Sequence, residues 1–457
     1  MEPRLFGTNG IRGVVNQDLT PEFVIKVGQA IGTFFKGGRL LIGCDGRVSS
    51  PLFKEAAISG LTSTGCTVYD VGYAPTPAIQ FLTKHFGLDG SIIITASHNP
   101  PEYNGIKVNW KDGVEIPRED EIKIEQIYFN ETFKRASWKN LGKTYEKEGV
   151  LGIYLEAVKR QVDVDLIKGK HYRVVVDPGN GVGTLTTPYL LRDLECEVIT
   201  INADLDGSFP GRPPEPVIQN LAELARVVKA VGADFGVAHD GDGDRAVFVD
   251  EAGEIHWGDR SFALIEKHFL KQHPNEQIVT PVSSSQVVSD LAKEYGGKIV
   301  WTRVGSIIVS RTMLEIGAKL GGEENGGVFY GPHQAVRDGA MATALILQIL
   351  AKTGKELSEL LGELPRYQQH KDKVACPNAL KEKVLEKLRK LTEKFRVEAI
   401  DGVKIWFPDK SWILIRPSGT EPLYRLFAEA KTQRKAVQRV EEYKKILTEL
   451  IESVKPC

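Results

Sequence analysis

Residues 90–100 read GSIIITASHNP: an apolar run, Ile92–Ile94, passes directly into Thr95, Ala96, Ser97, His98, Asn99 and Pro100. A turn alone needs only Asn, Gly or Pro, and has no use for Ser-His beside them. The same pattern, a buried-looking run closed by polar and glycine residues, recurs in RLLIGCDGR (39–47), YRVVVDPGNG (172–181) and DFGVAHDGDGDR (234–245). Continuous rather than alternating apolar strands belong in sheets covered on both faces. Helical periods lie between them, such as PEFVIKVGQAIGTFF (21–35) and NLAELARVVKAVG (220–232), the second closed by a glycine C-cap signal. The expected fold is α/β, with mixed or parallel sheets repeated in several similar domains.

The chain has 457 residues, enough for about three or four domains of ordinary size. Lys+Arg 59 against Asp+Glu 60 leaves a formal net charge of −1. No global field therefore favours nucleic acid or an anionic membrane. The five cysteines, Cys44, Cys66, Cys196, Cys376 and Cys457, are scattered without a CxxC pair, which argues against a disulfide framework or structural zinc. The N-terminus, MEPRLFGTNG, lacks the apolar core of a signal peptide. AMATALILQILA (340–351) is too short to span a bilayer and reads as a buried helix. A cytoplasmic protein is expected, with monomer and homo-oligomer both open.

Soft boundaries follow from composition. FKRASWKNLGKTYEKEG (133–149) reads as a first linker, and VDEAGEIHWGDR (249–260) as a hairpin or crossover. KTGKELSELLGELPRYQQHKDK (352–373) is polar and leads to a distinct tail. The expected domains are 1–148, 149–250, 251–363 and 364–457. In the tail, GVKIWF and WILIRP read as strands, and Val437, Val440, Tyr443, Leu447, Leu450 and Val454 fall on one face of a last helix.

DGDGDR carries the most specific chemistry. Asp240, Asp242 and Asp244 are spaced by two, with Gly241 and Gly243 between. In an extended segment that spacing puts three carboxylates on one side, where they repel unless a cation lies among them. Hard oxygen ligands favour Mg²⁺ or Ca²⁺. An EF-hand loop would place Glu251 at its twelfth position, but its sixth is Arg245 where the turn requires glycine. RPSGTEPLYR (416–425) supplies Arg416, Ser418, Gly419 and Thr420, the equipment of a phosphate cradle or of a plain surface turn. In GGEENGG (321–327), Glu323 and Asn325 could bond sugar hydroxyls or simply occupy a glycine-rich turn.

Other templates fail. GKT (142–144) lacks the upstream glycine of a P-loop, and GNGVGT (179–184) has Thr184 where the dinucleotide fingerprint ends in glycine. Ser97 is flanked by Ala96 and His98, so it is not a GxSxG elbow. Taken together, a hydroxyl, a carboxylate-lined cation site and an arginine-serine-threonine cradle are the parts needed to move a phosphoryl group.

TASHNP, DGDGDR, GEENGG and RPSGTEP, in that order, resemble the four active-site loops of the α-D-phosphohexomutase superfamily, and FGTNGIRG (6–13) resembles its opening segment. The resemblance covers essentially the whole chain. It implies four domains around one cleft: three similar α/β domains with mixed sheets, and a smaller C-terminal α+β domain of the TATA-box-binding-protein type. It implies Ser97 as the phosphoryl carrier, with Asp240, Asp242, Asp244 and a phosphate oxygen on Ser97 binding Mg²⁺. Glu323 and Asn325 would hold sugar hydroxyls, and Arg416, Ser418, Gly419, Thr420 and Arg425 the phosphate not being transferred. Arg12 and Arg245 would neutralise the transferring phosphate, with His98 and Lys107 as candidates for moving protons. The implied activity is a hexose 1-phosphate/6-phosphate mutase for glucose and mannose, using a glucose 1,6-bisphosphate-type activator. Phosphoglucosamine mutase is the alternative; a phosphatase and a non-catalytic sugar-phosphate-binding protein are competing functions. Residues near 360–373 are the expected hinge for closure of the last domain.

Overall fold

The computed structural model describes residues 4–7, 9–419 and 421–454. Three five- or six-stranded sheets share one topology. In the first, the order is Ile11–Val14, Tyr103–Trp110, Gly90–Ile94, Arg39–Cys44, Thr67–Tyr73 and Thr144–Glu146. In the second it is Ile255–His256, Val247–Asp250, Phe235–Ala238, Arg173–Asp177 and Glu197–Thr200. In the third, read in the same sense, it is Gln334–Arg337, Val328–Tyr330, Leu320–Gly322, Gln277–Pro281 and Lys298–Thr302.

In each sheet a central parallel strand turns back antiparallel on its neighbour: Gly90–Ile94 on Tyr103–Trp110, Phe235–Ala238 on Val247–Asp250, and Leu320–Gly322 on Val328–Tyr330. The connections are residues 95–102, 239–246 and 323–327, the TASHNP, DGDGDR and EENGG segments. The three motifs are thus the same loop in three copies of one topology. RPSGTEP is again a reversal, between the antiparallel strands Trp412–Pro417 and Leu423–Ala430 of the fourth sheet.

Helix Gly339–Thr353, apolar around its circumference, is buried along most of its length. It packs on helices Leu151–Lys159, Val164–Lys168, Thr187–Asp193 and Gly258–Gln272. One apolar cluster therefore runs from Tyr154 and Val174 through Phe262 and Leu347, uniting the second and third sheets. Helix Ala222–Val231 ends on Gly232 at φ 62°, the left-handed cap its glycine signalled.

The fourth sheet is wholly antiparallel, in the order Gln368–Ala375, Leu423–Ala430, Trp412–Pro417, Val403–Trp406 and Arg396–Glu398. Ile413 and Ile415 face helices Lys381–Thr392 and Gln433–Glu452, while Trp412 and Leu414 face Val282 of the third unit. Lys404, 2 % exposed, reaches the Val282 carbonyl at 2.8 Å. Its ammonium lies 4.0 Å from the Trp412 ring centre, 5.0 Å from Trp406 and 5.1 Å from Trp301.

Two stretches differ from their sequence reading. The expected linker at 133–149 contains strand Thr144–Glu146, paired parallel with Thr67–Tyr73 at the sheet edge. All three of its residues are exposed, so its composition is that of a linker. Likewise the polar segment before the tail includes Gln368–Ala375, an edge strand paired with Leu423–Ala430 along its full length. An edge strand with one wet face needs no apolar run. Segment 249–260 is a hairpin, with Val247–Asp250 pairing Ile255–His256. Among the described residues no helix is long and apolar enough to cross a membrane.

Candidate active site

Ser97 is fully buried and adopts φ 51°, a left-handed conformation that costs a serine about 1–3 kcal/mol. The surroundings hold it there. Its amide donates to Thr95 Oγ1 at 2.8 Å, and the Thr95 hydroxyl donates to Asp45 Oδ2 at 2.6 Å. Arg47, itself fully buried and paired to Asp45 at 3.0 Å, donates to the carbonyls of Ser97, Asn99, Pro100 and Tyr103 at 2.8, 2.6, 2.6 and 3.0 Å. One guanidinium thus fastens the whole loop from beneath.

The acidic loop has the same device. Asp177, ending the equivalent parallel strand, pairs with Arg212 at 2.8 Å, and Arg212 donates to the His239 carbonyl at 2.7 Å. The two loops then meet: a Cβ on Gly241 would stand 2.6 Å from the Ser97 carbonyl, so only glycine fits. Gly243, at φ 73°, supplies the left-handed turn between Asp242 and Asp244.

The three carboxylates converge, with one oxygen of each within 4.8 Å of the others. The Ser97 hydroxyl donates to Asp240 Oδ2 at 2.9 Å. Asp242 Oδ2 accepts from Thr76 Oγ1 at 2.7 Å and Lys107 Nζ at 2.9 Å, and Asp244 Oδ2 from Arg337 Nη2 at 2.5 Å. The remaining oxygens, Asp242 Oδ1 and Asp244 Oδ1, are buried without a hydrogen-bond partner. Burial, then Asp244 and Asp242, push the Asp240 carboxyl well above its usual range. For Asp242, burial pushes the same way but Lys107 and Thr76 win, holding it ionised. Two orphaned carboxylate oxygens beside a third carboxyl, whose proton a cation would displace, fit a hard divalent cation such as Mg²⁺. Glu251, which an EF-hand would need, instead accepts from the Ser358 amide at 3.3 Å.

Cationic groups crowd the other side. Arg12 reaches Asn99 Oδ1, and its Nε is buried without a hydrogen bond. Burial, resisted by Asp242, lowers the Arg12 guanidinium to about 10. Arg245 Nη2 donates to His98 Nδ1 at 2.9 Å, and Nε lies 3.6 Å from Asp240 Oδ2 without a hydrogen bond. Burial, then Arg245, Arg12 and Arg337, keep His98 neutral by pushing its imidazole well below 6.5. Lys107, 1 % exposed, lies between Asp242 at 2.9 Å, Asp244 at 3.6 Å and Glu115 at 3.9 Å. Burial would lower it, but those carboxylates outweigh burial and raise it, so Lys107 is an ammonium. That makes it a charge partner of the triplet rather than a base.

In the third loop, Glu323 is buried and accepts from Arg337 Nη1 at 3.2 Å, while its amide donates to the Gly327 carbonyl at 2.8 Å. Asn325 Oδ1 accepts from the Gly327 amide at 3.2 Å. Gly258 and Gly326 approach so closely that a Cβ on Gly258 would stand 2.0 Å from the Gly326 amide nitrogen. In the fourth loop, Arg416 pairs with Asp401 at 2.7 Å, and Asp401 accepts from the Val304 amide at 3.1 Å. Ser418 Oγ accepts from the Glu421 amide at 3.2 Å, Gly419 is exposed, and Arg425 pairs with Glu421 at 2.5 Å. Thr420 lies outside the described residues. Ser306, two residues beyond Val304, accepts from Asn9 Nδ2 at 3.1 Å, closing the ring back to the first unit.

Sequence reasoning missed Arg47, Arg212, Arg337 and Glu115. Arg47 stood in view just after strand Arg39–Cys44, and Arg337 ends strand Gln334–Arg337, but an isolated arginine carries no spacing pattern. Their partners are remote: Arg337 lies 93 positions from Asp244 and Arg47 lies 50 from Ser97.

Comparison with known proteins agrees with this geometry. The four descriptions "Phosphoglucomutase/phosphomannomutase", alpha/beta/alpha domains I, II and III and C-terminal domain, match residues 3–135, 153–253, 257–367 and 373–444. The chain is 48 % identical over 455 residues to a phosphoglucomutase/phosphomannomutase of Thermococcus kodakarensis, covering 98 % of this chain and 99 % of that one. It is 46 % identical over 451 residues to a phosphoglucosamine/phosphogalactosamine mutase of Sulfurisphaera tokodaii, covering 97 % and 99 %. A crystal structure of a phosphoglucomutase/phosphomannomutase family protein from Burkholderia thailandensis superposes with a TM-score of 0.87 at 28 % identity, covering 98 % and 97 %. With three loops of matched topology gathered around one acidic triplet and all four domain descriptions matched, the chain belongs to the phosphoglucomutase/phosphomannomutase family of phosphosugar mutases.

Proposed function

We propose that Ser97 carries the phosphoryl group in a reaction interconverting hexose 1-phosphate and 6-phosphate. The observation that supports this most is the Ser97 hydroxyl 2.9 Å from Asp240, one of the three converging carboxylates. In the forward half-reaction the bond from phosphorus to Ser97 Oγ breaks and a bond to the sugar's free hydroxyl oxygen forms, giving a bound 1,6-bisphosphate. That molecule turns over and returns its other phosphate to Ser97, releasing the isomer. Arg12 and Arg245, each with a buried Nε lacking a hydrogen bond, would bind phosphate oxygens.

Asp240, Asp242 and Asp244 would hold Mg²⁺, which when bound supplies charge stabilisation to the transferring group. Lys107 keeps Asp242 ionised, and neutral His98 is left as the group able to take or relay the sugar's hydroxyl proton. Glu323 and Asn325 would bind sugar hydroxyls. Arg416, Ser418, Gly419, Thr420 and Arg425 would bind the resting phosphate. Exclusion of water protects the phosphoserine, and Ser97 is already fully buried. Closure would act through residues 363–367, the connection left between helix Leu357–Gly362 and strand Gln368–Ala375.

Glucose and mannose phosphates are the proposed substrates, supported by the name of the Thermococcus relative. Glucosamine phosphate is the second reading, favoured by the name of the Sulfurisphaera relative. The partners are small sugar phosphates, and the free, buried thiols of Cys44, Cys66, Cys196 and Cys376 suit a cytoplasmic setting. The test is incubation with glucose 1-phosphate, Mg²⁺ and a trace of glucose 1,6-bisphosphate. Glucose 6-phosphate is expected; free phosphate instead would make the protein a phosphatase, and no change would make it a binding protein. Comparison of kcat/KM for glucose, mannose and glucosamine phosphates ranks the sugars.

A further inference from the structure

Arg337 lies at the end of strand Gln334–Arg337, in none of the four motif loops, yet it touches two of them. Nη2 donates to Asp244 Oδ2 at 2.5 Å and Nη1 to Glu323 Oε2 at 3.2 Å. The side chain is buried, and it crosses the floor of the third loop: a Cβ on Gly327 would stand 2.4 Å from Arg337 Cδ and 2.9 Å from Cγ. Any larger residue at 327 would displace it. Gly327 and Arg337 are therefore a matched pair, in which the missing side chain makes room for the arginine.

We propose that Arg337 is a positioning residue that couples the sugar loop to the cation loop, with Glu323 restraining how Arg337 engages Asp244. This rests on the reading of Asp240, Asp242 and Asp244 as a Mg²⁺ site. A guanidinium can take both oxygens of one carboxylate in a parallel fork. Here it does not: Nη1 is turned to Glu323, and Nη2 alone donates to Asp244. Asp244 Oδ1 consequently stays without a hydrogen bond, beside the equally unpartnered Asp242 Oδ1. Once Glu323 loses its charge, Arg337 is free to swing onto Asp244, take both oxygens and compete with the cation. A residue of the sugar loop thus controls cation affinity although it is not itself a ligand.

The test is calorimetric titration of Mg²⁺ into the full chain without sugar, comparing the unaltered protein with Glu323→Gln. Severalfold weaker Mg²⁺ binding is expected in Glu323→Gln, with Arg337→Met in the same background removing the competitor and restoring affinity. Unchanged affinity in Glu323→Gln, or no recovery in the double variant while its thermal unfolding matches the single variant, would overturn the coupling. If the double variant unfolds early, Arg337→Lys replaces it: an ammonium has no fork to close on Asp244, so affinity should again recover, and failure to recover overturns the proposal. Absence of any Mg²⁺ binding by the unaltered chain would overturn the cation reading as well, which separates the two failures.

Discussion

The hydroxyl of Ser97 and the carboxylate of Asp240, 143 positions apart, meet at 2.9 Å across the seam between the first and second sheets. This contact joins the residue proposed to carry phosphate to the residues proposed to hold the cation. Ser97→Ala deletes the oxygen that forms the phosphoserine bond. Mutase turnover should fall by at least about 10⁴-fold, followed as glucose 6-phosphate formation, and substantial residual turnover would refute the carrier role.

The triplet predicts a thermal response to Mg²⁺. Binding to the folded chain alone should stabilise it by about 2.7 kcal/mol at a concentration of roughly 100 Kd, read as a rise in Tm, with chelator reversing the rise and abolishing activity. Asp240→Asn removes the carboxyl that burial and its neighbours push up. The metal-free variant should therefore unfold no earlier than the native chain while losing most of the Mg²⁺ response. A full response in Asp240→Asn would remove Asp240 from the site.

Arg47→Met should be among the most damaging changes outside the motifs. It strips the donors from four carbonyls of the Ser97 loop and leaves Asp45, 1 % exposed, without its ion-pair partner. Breaking such a buried pair costs about 3–5 kcal/mol. Release of the left-handed Ser97 should also reduce kcat by about 10²-fold. Denaturant unfolding and kcat check the two parts separately, and Arg47→Lys should recover little because one ammonium cannot reproduce the fork.

Glu266 predicts a stabilising substitution. It is fully buried in helix Gly258–Gln272, and neither side-chain oxygen has a hydrogen-bond partner. Burial raises its carboxyl well above its ordinary value of 4.5. The folded chain then keeps a proton that the unfolded chain releases, so this group's contribution is full below pH 4.5 and is lost as pH rises toward its folded value. Glu266→Leu should stabilise the protein by about 1–3 kcal/mol near neutral pH, with the gain shrinking toward pH 4. Urea unfolding at several pH values measures it; a gain independent of pH would exclude the carboxyl as its source.

Lys404, between Trp301, Trp406 and Trp412, is lowered from 10.5 to about 8 by burial, with Glu398, Glu429 and Asp259 opposing. Between about pH 8 and 10.5 the unfolded chain binds more protons, so Lys404 makes the folded state more stable as pH rises through that window, and the contribution is lost as pH falls through 8. Tryptophan emission should titrate with a midpoint near pH 8, and Lys404→Met should abolish both the titration and the stability slope. A titration that survives in Lys404→Met would assign it elsewhere.

Periodicity and spacing made much of this molecule legible. Apolar runs ending in Gly and Asp located the central strands because a strand covered on both faces cannot hide its composition. The spacing of Asp240, Asp242 and Asp244 announced convergent carboxylates because glycines between them leave the backbone free to curl. The edge strands Thr144–Glu146 and Gln368–Ala375 were not legible, since a strand with a wet face looks like a linker.

By itself, the sequence determined the α/β class, the four loops and the residues on them, because those depend on local composition and short spacing. Only the tertiary structure decided that the first three loops are equivalent hairpins, that Arg47 clasps Ser97 from below, that Lys107 is spent on Asp242, and that Arg337 spans Asp244 and Glu323 across Gly327. The reason is physical: a buried charge acquires its state and its role from partners tens to hundreds of positions away, and at that range the chain carries no periodicity from which to read them.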